Sequence, residues 1–98
     1  MARYDVYVRR GRPGYLLDCQ ADVLSGFDTR FMVPLLPAAG AELASRLHPR
    51  FEVQQEAVVM VTQLAAAVPL RELGKPVQSL AAEHATIMNA LDMLLTGY

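Results

Sequence analysis

The stretch Ser79 to Tyr98, SLAAEHATIMNALDMLLTGY, constrains this chain more than any other, because its apolar residues recur with the period of a helix. Leu80, Ile87, Met88, Leu91, Leu94 and Leu95 fall on one stripe, whereas Glu83, Thr86, Asn89 and Asp92 fall elsewhere around the wheel. The spacing predicts an amphipathic helix over Leu80 to Thr96, a rod of about 25 Å at about 1.5 Å per residue. Ser79 is the expected N-cap, Glu83 puts negative charge near the positive end of the dipole, and Gly97 marks the stop. The last turn carries Leu94, Leu95 and Tyr98, and a docked terminal helix with a frayed tip is the simplest expectation. The residues before it must then supply the surface on which the stripe lies.

Those residues read as strands. Tyr4, Val6 and Val8 alternate with Asp5, Tyr7 and Arg9, the pattern of a half-buried strand. Arg10 to Gly14 is a glycine- and proline-bearing turn, and Tyr15 to Gln20 is the second strand, paired antiparallel with the first. Ala21 to Asp28 connects onward and carries Val23, Leu24 and Phe27, which are expected to tuck onto the core. Thr29 to Leu36 is a third strand, placed at an edge because Pro34 and Pro37 cannot donate to a ladder. A short helix is expected over Ala38 to Arg46, weakened by Gly40. Phe51 to Gln54 and Ala57 to Leu64 form a second hairpin through a turn at Gln55-Glu56, and the run Val58 to Val61 suits a strand covered on both faces. Leu70 to Val77 holds a short strand or turn. The order predicts a small α+β protein, mainly β, as one domain over residues 1–98.

Composition narrows function chiefly by exclusion. The formal charge is −1, so the overall balance suggests neither a nucleic-acid nor an anionic-membrane surface, and Arg9, Arg10 and Arg12 are the one short basic run. The single cysteine, Cys19, cannot form an intrachain disulfide and lies in an apolar run, which fits a reducing cytoplasm. No stretch reads as a signal peptide or a membrane span, and a cytoplasmic location is expected. His48 and His84 lie far apart without carboxylates at ligand spacing and read as surface or cap residues, so no metal and no cofactor is expected. No phosphate-binding glycine loop and no nucleophile elbow is present. Glu42, Glu52, Glu56, Glu72 and Glu83 are dispersed on polar faces. The residues point to a binding module rather than an enzyme.

Several short stretches together resemble the CcdB family of plasmid and chromosomal toxins, the DNA gyrase poisons of type II toxin–antitoxin pairs. They are Val6-Tyr7, Gln20 to Asp22 with Val23-Leu24, Arg30 to Leu35, Leu47 to Pro49, Val68-Pro69 with Gly74, and Asn89 to Gly97. The resemblance implies an SH3-like, strongly bent antiparallel sheet of CcdB/MazF type, with a small side hairpin and one long C-terminal helix, assembled as a homodimer. It also implies a noncatalytic mechanism: the dimer binds the DNA gyrase A subunit and traps the cleaved-DNA complex, with no direct nucleic-acid contact expected. By position, the gyrase-facing residues are Val23, Leu24, Asp92, Leu95, Thr96, Gly97 and Tyr98. A CcdA-like antitoxin with an acidic tail would meet the first loop through Arg9, Arg10 and Arg12. The apolar surface of the helix and of Val58 to Val61 also favours a dimer.

The chain departs from the family at the helix tip. Members that poison gyrase end in Trp-Gly-Ile, whereas this chain ends in Thr96-Gly97-Tyr98, and Asp92 stands where asparagine is usual. Loss of a hot-spot tryptophan removes an anchor worth roughly 2 kcal/mol or more. Two further readings therefore stand beside the gyrase poison. One is a CcdB-like protein with weakened or no gyrase activity. The other is an endoribonuclease of the related fold, for which Arg30 and Thr29 are the candidates.

Overall fold

The computed structural model describes residues 2–38 and 45–97. Seven strands and one helix follow in the order β1 (Asp5–Val8), β2 (Tyr15–Asp18), β3 (Thr29–Pro37), β4 (Arg50–Val53), β5 (Glu56–Met60), β6 (Ala66–Pro69), β7 (Gln78–Ser79) and α1 (His84–Thr96). All pairings are antiparallel, the sheet runs β4-β5-β3-β2-β1-β7, and β6 lies beside β3. The expected short helix after β3 falls almost entirely on residues 39–44, outside the described residues.

The third strand is central, not at an edge. It pairs with β2 on one side and, on the other, with β6 over Thr29–Met32 and with β5 over Leu35–Pro37. Pro34 sits between those two partners, and its carbonyl accepts from the Val61 N–H at 3.0 Å. The N–H that proline lacks therefore falls where the ladder changes hands, which is how a central strand tolerates it. The change of partner along one strand gives the sheet its bend. At the β1–β2 turn, Gly14 adopts φ +94, and a side chain there would run into the backbone carbonyl of Leu35.

The β4–β5 hairpin closes through Gln54 and Gln55, with φ 53 and 67, one residue earlier than the sequence suggests. Two left-handed residues in succession match the twist of a two-residue hairpin. Val58, Val59, Met60 and Val61 are all buried, as the continuous apolar run predicts. The two ends of the sheet meet through side chains instead of a ladder. The Gln54 N–H donates to Gln78 Oε1 at 3.1 Å, Gln54 Nε2 donates to the Val77 carbonyl at 3.0 Å, and Gln78 Nε2 donates to the Glu52 carbonyl at 3.0 Å. Three amide bonds thus nearly close an antiparallel barrel.

The core lies between this sheet and α1. Val6, Leu17, Val33, Leu35, Phe51, Val53, Val58 and Met60 meet Leu80, Ile87, Ala90 and Leu91 in one buried cluster. The helix is shorter than its periodicity suggests. A 3-10 turn over Ala81–Glu83 precedes it, leaving 13 residues, about 20 Å at about 1.5 Å per residue. Ser79 does not cap the helix; its Oγ accepts from the Ala81 N–H at 3.1 Å and serves the preceding turn. The apolar stripe is also divided, since Ile87 and Leu91 are buried whereas Leu94 and Leu95 are exposed.

Candidate interaction surfaces

The tip of α1 projects beyond the core. Gly97 ends the helix in the left-handed conformation, φ 81, with its N–H donating to the Met93 carbonyl at 3.0 Å. Thr96 Oγ1 donates back to the Asp92 carbonyl at 2.7 Å, so its one polar group is spent within the helix. Asp92 is exposed and Leu95 is 74% exposed. Tyr98 lies outside the described residues.

The second surface is the connection after β2. Asp22–Leu24 forms a 3-10 turn, tied by the Leu24 N–H to the Ala21 carbonyl at 3.0 Å and the Ser25 N–H to the Asp22 carbonyl at 3.1 Å. Gln20 braces it by donating from Nε2 to the Leu24 carbonyl at 3.0 Å while its Oε1 accepts from the Phe31 N–H at 3.0 Å. The expectation that Val23, Leu24 and Phe27 tuck onto the core is wrong: they are 88%, 42% and 58% exposed. A three-residue turn braced by its own backbone has no slack to fold them inward. Large apolar side chains held on a rigid exposed turn are the usual form of a contact anchor.

The third surface is a groove of about 670 Å³ lined by Arg9, Arg10, Arg12 and Arg71 above Val8, Leu16, Ala66 and Val68. Arg9 Nη1 donates to the Pro13 carbonyl at 3.1 Å, which ties the loop to itself. Arg71 comes from the segment after β6, and sequence spacing alone gave no sign that it joins the three N-terminal arginines. Glu72 also lines the groove.

The sheet also buries a charge pair that the sequence did not reveal. Arg30 Nε donates to Asp18 Oδ2 at 2.8 Å, Nη2 lies 2.7 Å from the same oxygen, and Asp18 Oδ1 accepts from the Gln20 N–H at 3.0 Å. Burial raises Asp18 above the ordinary carboxylate value, and the Arg30 and Gln20 hydrogen bonds oppose that rise without cancelling it. Tyr7, fully buried nearby, is likewise raised, chiefly by burial and then by Asp5 and Asp18. Arg30 is 1% exposed and paired with Asp18, so it presents no guanidinium to an RNA substrate; Thr29 stands opposite Pro69 in the ladder. Cys19 is buried, and desolvation pushes its thiol up to about 12. Such a thiol is inert at neutral pH.

The histidines serve the fold. His48 is buried, contrary to the surface role its sequence position suggests, with Nε2 2.7 Å from Gln63 Oε1. His84 opens α1, and its Nδ1 lies 2.6 Å from the Tyr4 hydroxyl. Among the described residues no three His, Cys, Asp or Glu side chains are grouped to hold a metal ion, and no helix is long and apolar enough to cross a membrane.

Two of these surfaces present exposed apolar side chains and the third gathers four arginines. In a comparison with protein families, the model of the family described as CcdB protein matches residues 3–97, nearly the whole chain. The bent antiparallel sheet with one C-terminal helix is the fold the resemblance implies. The chain belongs to the CcdB family, the toxins of toxin–antitoxin pairs.

Proposed function

We propose that this protein is a noncatalytic toxin that acts in the cytoplasm as a homodimer, binding the DNA gyrase A subunit and trapping the enzyme on cleaved DNA. The observation that carries the reading is the exposure of Val23 and Leu95, the two most exposed large hydrophobic side chains among the described residues. Apolar side chains cost free energy in water, and paired anchors of this kind supply most of the energy of a protein interface. Val23, Leu24, Asp92, Leu95, Thr96, Gly97 and Tyr98 form the gyrase-facing set. The antitoxin engages Arg9, Arg10 and Arg12 through an acidic segment, and charge complementarity supports that assignment. The chain acts as a single domain.

A weaker poison than the tryptophan-bearing members is the second reading, and Thr96 supports it. A threonine hydroxyl turned back onto the Asp92 carbonyl leaves only a methyl group for a partner. Purified protein incubated with gyrase and supercoiled DNA tests both. Accumulation of cleaved complex with the native chain supports the poison. Accumulation only with Thr96→Trp supports the weakened form, and none with either refutes the gyrase assignment.

A further inference from the structure

The two apolar patches of the gyrase-facing set come from segments about 70 positions apart, and one residue joins them, by its backbone N–H on one side and its side chain on the other. The Arg3 backbone N–H donates to Asp22 Oδ1 at 2.8 Å, fixing the first residue of the Val23–Leu24 turn. Its side chain then runs the other way. Nε donates to the Cys19 carbonyl at 3.3 Å, the guanidinium lies 4.8 Å from the centre of the Tyr4 ring, and Nη2 reaches Met88 Sδ at 3.2 Å. Met88 is followed at i+4 and i+7 by Asp92 and Leu95, so it stands at the foot of the helical face that carries the exposed tip residues.

The backbone is bent to make this reach possible. Tyr4 adopts φ 72, a left-handed conformation costly for an aromatic residue. It is held there by its N–H on the Asp18 carbonyl at 2.6 Å, its carbonyl accepting from the Leu80 N–H at 2.9 Å, and its hydroxyl 2.6 Å from His84 Nδ1. A conformation so firmly held on three sides fixes the direction in which Arg3 leaves the sheet. The planar guanidinium, with donors along its edge and an aromatic ring against its face, uses a geometry that lysine cannot reproduce.

We infer that Arg3 is a positioning residue that holds the Val23–Leu24 turn and the Met88–Asp92–Leu95 face of α1 as one docking surface for the target. The inference rests on the gyrase-facing reading of that surface. Two anchors on a fixed spacing bind with less ordering cost than two that move independently, so loss of the tie weakens binding without removing any contact. The tests are Asp22→Ala, which removes the acceptor of the Arg3 N–H, Arg3→Met, which keeps the aliphatic stem and loses the bonds to the Cys19 carbonyl and Met88, and Met88→Leu, which keeps the packing and removes the sulfur acceptor. Binding to the gyrase A subunit is measured together with amide exchange at Leu24 and Ser25, whose N–H groups close the turn. Asp22→Ala is expected to weaken binding about tenfold and to speed both amides about tenfold, Arg3→Met and then Met88→Leu to do the same to smaller degrees, and exchange at Ala90 and Leu91 to stay unchanged. Weakened binding with unaltered exchange would mean that Arg3 touches the target directly, which overturns the positioning role, as does the absence of both effects. If the native protein does not bind gyrase, the functional reading fails, yet faster exchange at Leu24 and Ser25 in Arg3→Met still establishes the tie.

Discussion

The strands β1 to β3 bury side chains on both of their faces, but only one face buries charge. Towards α1, Val6, Leu17 and Val33 stand in register across three strands and meet Ile87 and Leu91. On the other face, Asp18 stands opposite Met32, and Arg30 opposite Val68, with Tyr7 in the adjoining row opposite Leu16. The first face gains free energy simply by leaving water. The second must satisfy its charges internally, so its stability depends on each partner being present. The apolar face supplies the main driving force for folding, whereas on the charged face removal of one partner leaves the other buried and unpaired.

That contrast is sharpest for the charge pair. Asp18→Asn should destabilise the protein by roughly 3–5 kcal/mol, because Arg30 is left buried beside a neutral partner. The combined Asp18→Leu, Arg30→Met replacement should restore much of that loss. Urea titration of the three variants checks the prediction, and a single-variant cost below about 1 kcal/mol would remove the distinction between the faces. On the apolar face, Ile87→Ala should cost about 2–4 kcal/mol through lost burial and the cavity left behind. Leu95→Ala, two turns further along the same helix, should change stability by less than about 0.5 kcal/mol while weakening gyrase binding. Similar thermal midpoints for these two variants would mean that the helix tip is packed after all.

Cys19, within the apolar face, adds a pH signature. Its thiol stays protonated in the fold to about 12, against 9.0 when exposed, so between those values the unfolded chain loses a proton that the folded chain keeps. Stability should therefore be unaffected below about pH 9 and should decline above it, by about 1 kcal/mol at pH 10. Cys19→Ser removes this part of the alkaline slope while leaving the tyrosine contributions in place. A modest effect is expected at the seam: Gln78→Ala deletes two exposed hydrogen bonds and should cost about 1 kcal/mol or less. Hydrogen exchange that rises at the Gln54 amide but not in the β2–β3 ladder would locate the opening there.

Much of the architecture was legible in the residues. Period-2 alternation located β1 and β4 to within one residue, the expected strand over Ala57 to Leu64 matched β5 but ran four residues too far, and helical periodicity with Gly97 found α1 and its end. The Val58 to Val61 run announced a strand covered on both faces, because only such a strand has no polar side to show. The candidate residues Val23, Leu24, Leu95 and the three arginines were found in sequence through family resemblance, and the structure adds Arg71 beside the arginines. Arg3 was missed because neither its spacing nor its composition separates it from any other arginine.

What local sequence determined were those features whose cause lies within a few neighbours: the twofold and 3.6-fold periods, the hairpin breakers and the glycine that ends α1. What the tertiary structure decided required partners distant in the chain. Pro34 became central because two different strands share β3 on either side of it. Val23 became exposed because its turn is braced by its own backbone, and Leu95 because the sheet extends only far enough to cover Leu91. Asp18 met Arg30, and Arg3 reached Met88, across a register that no short window encodes. Burial and pairing depend on the summed packing of the whole chain, and so they could be read only once the sheet had bent around its helix.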